Sequence, residues 1–281
     1  MAKKRLLRAA GVGLLGLAGL AAGSCALYTM ALQCRSGRPE WEELRKYRYA
    51  HRGLHEAPEY PENSLAAFRR AIEHGYGAEL DVHLMKDGKL AVIHDASLKR
   101  TAGAEVEIED LTAEDLPNYH LEGTSETIPL FEDVLKLFEG KTPLIVELKA
   151  ERSNYNELAK ATCALLDKYQ VKYCVESFDP RCLIWLKKNR PEILRGQLSC
   201  AFRPDEVANP AVRYALQHLL TNLLTTPDFI AYKWEDRDFA ELWMCREMYR
   251  VQEVNWTIRD PETAEKAEKL GNLVIFENFG F

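Results

Sequence analysis

Short apolar runs alternate with longer amphipathic stretches along most of the chain. Runs of strand length lie at residues 47–51, 78–84, 143–149, 173–178, 194–199, 229–234, 251–256 and 273–278. Between most of them the apolar residues recur with a helical period, as in "SLAAFRRAIEHG" and "LFEDVLKLFEG". Eight strands, most of them followed by a helix, predict a (β/α)8 TIM barrel. A doubly wound sheet is the alternative, and the count of eight strands favours the barrel.

Local signals mark where several helices begin and end. Ser64 and Asp260 have the character of helix N-caps, and Gly75, Gly140 and Gly271 that of C-terminal stops. The run "KLAVIHD" follows "KDG" and predicts a hairpin strand at residues 89–95 that pairs with the second strand. Residues 96–130 are then a polar insertion after the second strand.

The N-terminus differs in kind from the rest of the chain. After the basic "MAKKRLLR", residues 9–33 carry no charge, and such a run is long enough to span a bilayer as a single transmembrane helix. A cleaved signal peptide and a lipoprotein signal at Cys25 are the alternatives. The basic N-terminal flank predicts a single-pass membrane protein with the barrel on the non-cytoplasmic side. The predicted domains are residues 1–34 with the anchor, a linker at 35–45 and the barrel at 46–281.

Charge and cysteine content argue against two classes of function. The net charge of −6 offers no basic surplus for nucleic acid. None of the seven cysteines stands in a CxxC pair, so a zinc site is not indicated. The composition leaves small phosphate ligands open, because these need only a local cation or a metal ion.

Carboxylates from two strands converge on the predicted barrel mouth. The period of two in "AELDVHL" puts Glu79 and Asp81 on the face opposite the aliphatic residues. The same alternation in "LIVELK" puts Glu147 and Lys149 together. A hard divalent cation would relieve the repulsion between these carboxylates. Ion pairs with Lys149 and Arg52 are the other explanation of the pattern.

Ordered motifs through most of residues 46–281 resemble the glycerophosphodiester phosphodiesterase family. They include "AHRG", "PENSLAAF", "GYGAELDV", "VIHD", "LKRT", "IPLFEDVL", "VELK", "SFDP" and "VNWTIRD". The resemblance implies a TIM barrel, one divalent cation such as Ca²⁺ or Mg²⁺, and hydrolysis of glycerophosphodiesters to glycerol 3-phosphate and an alcohol. The last strand departs from the family, because "IFENFGF" replaces the usual Asp-Pro ending.

The resemblance also implies a role for each motif residue. The metal ligands would be Glu79, Asp81 and Glu147, with Glu62 as a fourth ligand or a partner of one. The catalytic histidines would be His51, as base, and His94, as acid, although the order of these two roles stays open. Either water or a neighbouring substrate hydroxyl could attack the phosphorus. The phosphate would be held by Arg52 and Lys149, and Trp256 would form an aromatic wall over the glycerol.

Two further functions remain in view. Similar barrels support phospholipase D-like or C-like hydrolysis of lysophospholipids, which an apolar rim around the mouth would favour. A catalytically silent phosphate binder is the remote alternative. The full set of carboxylates and the two histidines argue against it, because binding alone needs no acid and base. The oligomeric state stays open.

Overall fold

The structure, a computed structural model, describes residues 26–280. Within them, eight parallel strands close into a ring in the order β1-β2-β4-β5-β6-β7-β8-β9, and β9 pairs back with β1. The strands are β1 (Tyr49–Ala50), β2 (Gly77–Leu84), β3 (Leu90–Val92), β4 (Leu144–Leu148), β5 (Tyr173–Ser177), β6 (Arg195–Ser199), β7 (Phe229–Lys233), β8 (Gln252–Ile258) and β9 (Leu273–Phe276). Strand β3 is the predicted hairpin strand and lies antiparallel to β2. The predicted TIM barrel is confirmed.

Helices follow most strands and form the outer layer. After a helical segment at residues 26–31, the described α-helices are α1 (Trp41–Leu44), α2 (Leu65–Glu73), α3 (Lys99–Ala102), α4 (Phe131–Phe138), α5 (Tyr155–Leu166), α6 (Pro180–Asn189), α7 (Pro210–Gln217), α8 (Asn222–Thr225), α9 (Ala240–Tyr249) and α10 (Pro261–Lys269). Ser64 caps α2 by accepting from the Ala67 amide at 3.1 Å. Asp260 caps α10 by accepting from the Thr263 amide at 2.9 Å. Both caps were predicted from the sequence.

Two apolar layers hold the barrel together, and the two-residue period of the strands separates them. One layer fills the barrel interior and includes Tyr49, Ile145, Phe229 and Ile275. The other lies between the strands and the helices and includes Leu80 and Val146. Because β2 and β4 present their aliphatic residues outward, their acidic residues face the barrel interior.

The insertion after β3 is less polar than predicted. Its 3-10 turns at Ile108–Asp110, Leu116–Asn118 and Leu121–Gly123 bury one aliphatic residue each. These pack with Met85 and Ile93 in a small separate core. The insertion therefore forms an ordered cap beside the barrel mouth.

The prediction of a transmembrane span at residues 9–33 is wrong for the part of the span that the structure describes. Within residues 26–280, no helix combines the length and the apolar character that crossing a bilayer requires. The last part of the predicted span packs on the barrel instead: Leu32 is fully buried in a cluster with Ile230 and Leu242. The Tyr249 hydroxyl also donates to the Thr29 carbonyl at 2.7 Å.

The predicted localisation as a single-pass membrane protein is therefore wrong. The prediction that the barrel lies on the non-cytoplasmic side of a membrane rested on the same span and is withdrawn with it. The remainder of the predicted anchor, residues 9–25, and Cys25 lie outside the described residues. The predicted linker at 35–45 contains α1, whose Trp41 and Leu44 are buried against the barrel.

Candidate active site

Three acidic side chains meet at the carboxyl ends of β2 and β4. Asp81 and Glu147 are register partners on these strands, and Glu79 lies one inward position earlier on β2. One carboxylate oxygen from each of the three lies within 4.8 Å of the others. The period of two therefore brings together the carboxylates that the sequence predicts.

Charge is unevenly balanced in this cluster. The Lys149 ammonium lies 3.0 Å from Asp81 Oδ1 and 2.8 Å from Glu147 Oε1. Burial favours a neutral Lys149, but Asp81 and Glu147 outweigh it and raise the pKa of this lysine. For Glu79, burial and the charges of Asp81 and Glu147 raise the pKa well above its usual value. The Glu79 carboxyl therefore favours its neutral form unless further positive charge lies beside it.

The loop after β1 brings a guanidinium to the same carboxylates. Gly53 has a φ of 81°, and a Cβ there would lie 2.9 Å from Ala67 Cβ, so this tight exit from the strand requires glycine. It directs Arg52 Nη1 to 2.9 Å from Glu62 Oε1 and Arg52 Nε to 3.6 Å from Asp81 Oδ2. Glu62, the predicted fourth ligand or partner, lies among the arginines and is not part of the three-carboxylate cluster.

His51 forms a hydrogen bond with Glu277, the residue that follows strand β9. Its Nδ1 lies 2.6 Å from Glu277 Oε2, and Arg259 donates to the other oxygen of Glu277 at 2.9 Å. Burial lowers the pKa of His51 to about 4 against the opposing effect of Glu277. The ring is therefore neutral near pH 7, donates from Nδ1 to Glu277, and leaves Nε2 as a proton acceptor.

His94 has a carboxylate partner of its own. Its Nδ1 lies 2.6 Å from Asp95 Oδ1. Arg100, from α3 in the insertion, donates to Asp95 Oδ2 at 2.5 Å and to both oxygens of Glu62 at 2.7 and 2.9 Å. The insertion thereby fixes the ring orientation of His94 through Asp95.

These groups line one cavity of 420 Å³ in the barrel mouth. His51, Arg52, His94 and Trp256 all contribute to its wall, together with the carboxylates of Glu62, Glu79 and Glu147. Trp256 packs edge-on against Phe178, with ring centroids 5.6 Å apart. Lys149 borders a neighbouring groove, and Asp81 lies beneath the cavity, where it is 1% exposed.

Four ionisable residues of this cavity received no role in the sequence prediction. They are Glu176 on β5, Lys233 on β7, Arg259 after β8 and Glu277 after β9. A signal was available for Glu176, Lys233 and Glu277, because the two-residue period places them inward with Cys174, Ala231 and Ile275. For Glu176, burial and the charges of Glu147 and Asp81 raise the pKa well above its usual value.

A second group of potential ligand atoms includes His51. His51, His55 and Glu277 also have ligand atoms within 4.8 Å of one another. The Arg259 guanidinium, 2.9 Å from Glu277, supplies a positive charge that disfavours a further cation there. The cluster of three carboxylates is therefore the better candidate for a metal site.

A broad, mainly apolar groove of 940 Å³ adjoins the cavity. Phe178 and Trp256 line both spaces. Beyond them the groove wall includes Phe202, Val207, Val212 and Leu216, from the loop after β6 and from α7. The polar cavity therefore opens onto an apolar surface.

The profile of the glycerophosphoryl diester phosphodiesterase family matches residues 51–279. A glycerophosphodiester phosphodiesterase of Bacillus altitudinis is 34% identical over 52% of this chain and 63% of its own length. One from Caldanaerobacter subterraneus subsp. tengcongensis is 32% identical over 62% of this chain and 76% of its own length. A lysophospholipase D of Rattus norvegicus is 36% identical over 43% of this chain and 41% of its own length.

Solved structures share the barrel. A glycerophosphodiester phosphodiesterase from Thermotoga maritima has a TM-score of 0.62 at 26% identity, covering 81% of this chain and 92% of that one. A phosphodiesterase from Oleispira antarctica, in complex with the product sn-glycerol-3-phosphate, has a TM-score of 0.69 at 23% identity, covering 86% and 95%. The latter likeness shows the fold. Glycerophosphodiester phosphodiesterases are phosphoric diester hydrolases, and this chain belongs to the glycerophosphoryl diester phosphodiesterase family.

Proposed function

We propose that the chain hydrolyses glycerophosphodiesters to sn-glycerol 3-phosphate and an alcohol, with a divalent cation and two histidines. The observation that carries this proposal is the cluster of Glu79, Asp81 and Glu147 in a cavity that His51 and His94 also line. A phosphodiester is an anion, and its hydrolysis needs positive charge around phosphorus as well as a proton acceptor and a proton donor. This cavity offers each of these groups.

The three carboxylates suit a hard divalent cation. Their donor atoms are all oxygens, which Ca²⁺ and Mg²⁺ prefer, and bonds of about 2.0–2.6 Å reach a shared centre between oxygens within 4.8 Å. The raised pKa of buried Glu79 gives a further reason for a cation, because a nearby positive charge would favour the ionised carboxylate. When bound, such an ion would offset negative charge on the phosphate oxygens and polarise the bonds between phosphorus and oxygen.

Arg52 and Lys149 would bind the phosphate beside this cluster. Arg52 is held by Glu62 and Asp81, and Lys149 by Asp81 and Glu147, so both cations are fixed before substrate arrives. Fixed charges need little reorganisation when negative charge develops on the phosphate oxygens. Their carboxylate partners also keep both groups protonated.

His51 would act as the base. Nε2 of its neutral ring accepts a proton from the attacking water as the water oxygen bonds to phosphorus. Glu277, 2.6 Å from Nδ1, then stabilises the imidazolium that forms.

His94 would act as the acid. Asp95 orients its ring at 2.6 Å and can stabilise a positive charge on it. As the bond from phosphorus to the alcohol oxygen breaks, His94 gives its proton to that oxygen. Diester and water thus become a phosphate monoester and an alcohol, and solvent returns both histidines to their starting states.

Turnover of glycerophosphocholine by the purified chain tests the proposal. Released sn-glycerol 3-phosphate is measured enzymatically, first in excess chelator and then after Ca²⁺ or Mg²⁺ is restored. We expect activity to disappear with the chelator and to return with the ion. Binding of sn-glycerol 3-phosphate without any turnover under all these conditions would instead favour the phosphate binder.

The apolar groove favours lysophospholipids as a second class of substrate. An acyl chain on the glycerol would leave the cavity past Phe178 and Trp256, which line both spaces, and lie against Val212 and Leu216. Each buried methylene contributes about 0.8 kcal/mol, so a chain of several carbons would add appreciable affinity. The name of the rat relative, lysophospholipase D, agrees with this class.

A series of lysophosphatidylcholines tests the second class. Chains of increasing length are compared below their critical micelle concentrations, with glycerophosphocholine as the reference substrate. If the groove binds the chain, kcat/KM rises with chain length until the groove is filled. A constant or falling kcat/KM would restrict the enzyme to glycerophosphodiesters without acyl chains.

A further inference from the structure

Two cysteine thiols lie together where the N-terminal segment, residues 26–35, packs on the helical layer. Cys34 belongs to this segment, and Cys245 lies on α9. Both thiols donate to the same acceptor, the Leu32 carbonyl, at 3.3 Å from Cys34 Sγ and 3.5 Å from Cys245 Sγ. The fold therefore brings together two cysteines that are far apart in the sequence.

The two sulfurs also share a donor from α8. Asn222 Nδ2 lies 3.4 Å from Cys34 Sγ and 3.7 Å from Cys245 Sγ. One amide donor and one carbonyl acceptor common to both thiols hold the sulfurs side by side. The interaction with the Cys245 thiol, together with burial, raises the pKa of Cys34 well above its usual value. Cys34 is a free, half-buried thiol in this structure, and Cys245 is free and fully buried.

The cysteine pair lies away from the barrel mouth. Arg35, next to Cys34, donates from its amide to the Pro227 carbonyl at 2.8 Å and from its guanidinium to both oxygens of Asp228. Asp228 directly precedes β7, so these contacts lie at the amino ends of the strands. Neither cysteine is among the described residues that line the cavity or the groove. A change at the thiols can therefore act on the N-terminal segment without touching the catalytic groups.

We propose that Cys34 and Cys245 are a redox-active pair that closes to a disulfide and ties the N-terminal segment covalently to α9. The oxidant is a low-molecular-weight disulfide, such as oxidised glutathione. Because both sulfurs contact the same two atoms, side-chain rotation is the main movement needed to bring them to the bond length of about 2.05 Å. The half-buried Cys34 is the thiol that the oxidant reaches first.

The reaction is thiol–disulfide exchange in two steps. The Cys34 thiolate attacks one sulfur of oxidised glutathione, so that a mixed disulfide forms and one glutathione thiolate leaves. The Cys245 thiolate then attacks Cys34 Sγ, and the second glutathione thiolate leaves. The two leaving thiolates take up the protons that the cysteines released. The protein thus loses two hydrogen atoms, and one oxidised glutathione becomes two reduced ones.

The disulfide should stabilise the native chain. It would close a loop from residue 34 to residue 245, which contains strands β1 to β7. Closing a long loop removes conformational entropy from the unfolded chain, and the predicted gain grows with loop length. The bond would also keep the N-terminal segment attached when α8 or α9 opens locally.

Incubation of the purified chain in glutathione buffers tests the proposal. The ratio of oxidised to reduced glutathione is raised stepwise at about pH 8.5, where thiolates are more abundant. Intact mass and unreduced peptide maps follow the thiols. Trypsin and chymotrypsin together separate Cys34 from Cys25, because chymotrypsin cleaves after Tyr28. The variants are Cys34→Ser and the control Cys200→Ser, whose half-buried thiol lies on the groove wall.

The expected result is a crosslink that follows the redox buffer. Oxidised wild type and oxidised Cys200→Ser lose two hydrogen atoms and yield a peptide pair that joins Cys34 to Cys245. Their Tm rises by about 5 °C or more over the reduced forms, and dithiothreitol reverses both changes. Cys34→Ser forms no such pair, and its Tm is the same in both buffers. Each protein is its own reference, so a loss of stability from the substitution itself does not enter.

Three results would overturn the proposal. Oxidised wild type could carry glutathione on Cys34 without a crosslink, join Cys34 to Cys25 instead, or keep the Cys34 and Cys245 thiols free at every buffer ratio. Each would show that Cys34 and Cys245 are packed thiols and not a redox pair. A crosslink with an unchanged or lower Tm would contradict the stabilising tie. None of these readouts requires turnover, so the outcome is independent of the proposed function.

Discussion

Glu277 Oε2 lies 2.6 Å from His51 Nδ1, which joins the residue after the first strand to the residue after the last. These strands are neighbours only because the barrel closes, with β1 paired to β9. Burial alone would raise the pKa of Glu277, but the hydrogen bond from His51 and the charge of Arg259 lower it to about 2. Glu277 is therefore ionised near pH 7 and can stabilise positive charge on the ring.

Replacing Glu277 by Gln should lower kcat. The amide oxygen can still accept from His51 Nδ1, so the ring keeps its orientation, but the charge that stabilises the imidazolium is lost. A charge-assisted hydrogen bond contributes about 1.5–3 kcal/mol, which corresponds to roughly a 10- to 100-fold loss in rate. Steady-state kinetics on glycerophosphocholine measure it, with KM expected to change little.

The exposed Glu157 on α5 offers a matched control, and Glu157→Gln should keep the wild-type kcat. A normal kcat in Glu277→Gln would exclude stabilisation of the imidazolium by the charge of Glu277. A rise in KM alone would assign Glu277 to substrate binding.

Removing either histidine should abolish most turnover. His51→Ala and His94→Ala each delete one proton-transfer group, and such a loss costs on the order of 100- to 10,000-fold in rate. His74→Ala, at the exposed end of α2, is the control. Circular dichroism and thermal melts show whether each variant retains the fold. A folded variant with near-normal turnover would remove that histidine from the mechanism.

The alternation of residues along the strands predicted the fold and part of the site. Leu80 and Val82 pack outward, so Glu79 and Asp81 have to face inward, whatever the distant parts of the chain do. The same reasoning applies to Glu176 on β5, where Cys174 is an inward residue. The alternation therefore predicts that Glu176 faces the barrel interior as well, next to Glu147 on the neighbouring strand.

Contacts between loops could not be predicted in this way. Arg100 reaches Asp95 and Glu62 because the insertion folds back over the barrel mouth on its own apolar core. The spacing of residues along the sequence does not indicate that Arg100 contacts these two carboxylates. The N-terminal run posed a similar problem, because an apolar residue such as Leu32 suits a protein surface as well as a bilayer.

Neutralising any of the three clustered carboxylates should weaken metal binding. Glu79→Gln, Asp81→Asn and Glu147→Gln keep the side-chain shape but remove the charge that a hard dication prefers. Isothermal titration with Ca²⁺ or Mg²⁺ should show a lower affinity for each variant than for wild type. Thermal melts give a second readout, because an ion that binds only the native state raises Tm.

The exposed Asp110 provides the control for metal binding, since it pairs with Arg152 away from the cluster. Asp110→Asn should bind the ion as wild type does. If the wild-type chain binds no divalent cation and remains active in excess chelator, the metal-dependent mechanism is wrong.

A charge in the apolar groove should separate the two classes of substrate. Val212 is 48% exposed on α7 and lines the groove but not the cavity, so Val212→Glu leaves the core and the catalytic groups intact. A carboxylate there would be desolvated by an acyl chain, which we expect to raise KM for a long-chain lysophosphatidylcholine by about tenfold or more. Glycerophosphocholine has no such chain, and its kcat/KM should stay within about twofold of wild type.

Val212→Leu, which keeps the groove apolar, is the matched control and should retain lysophospholipid turnover. Equal losses on both substrates in Val212→Glu would show that the groove does not bind the acyl chain and that the substitution disturbs the site itself.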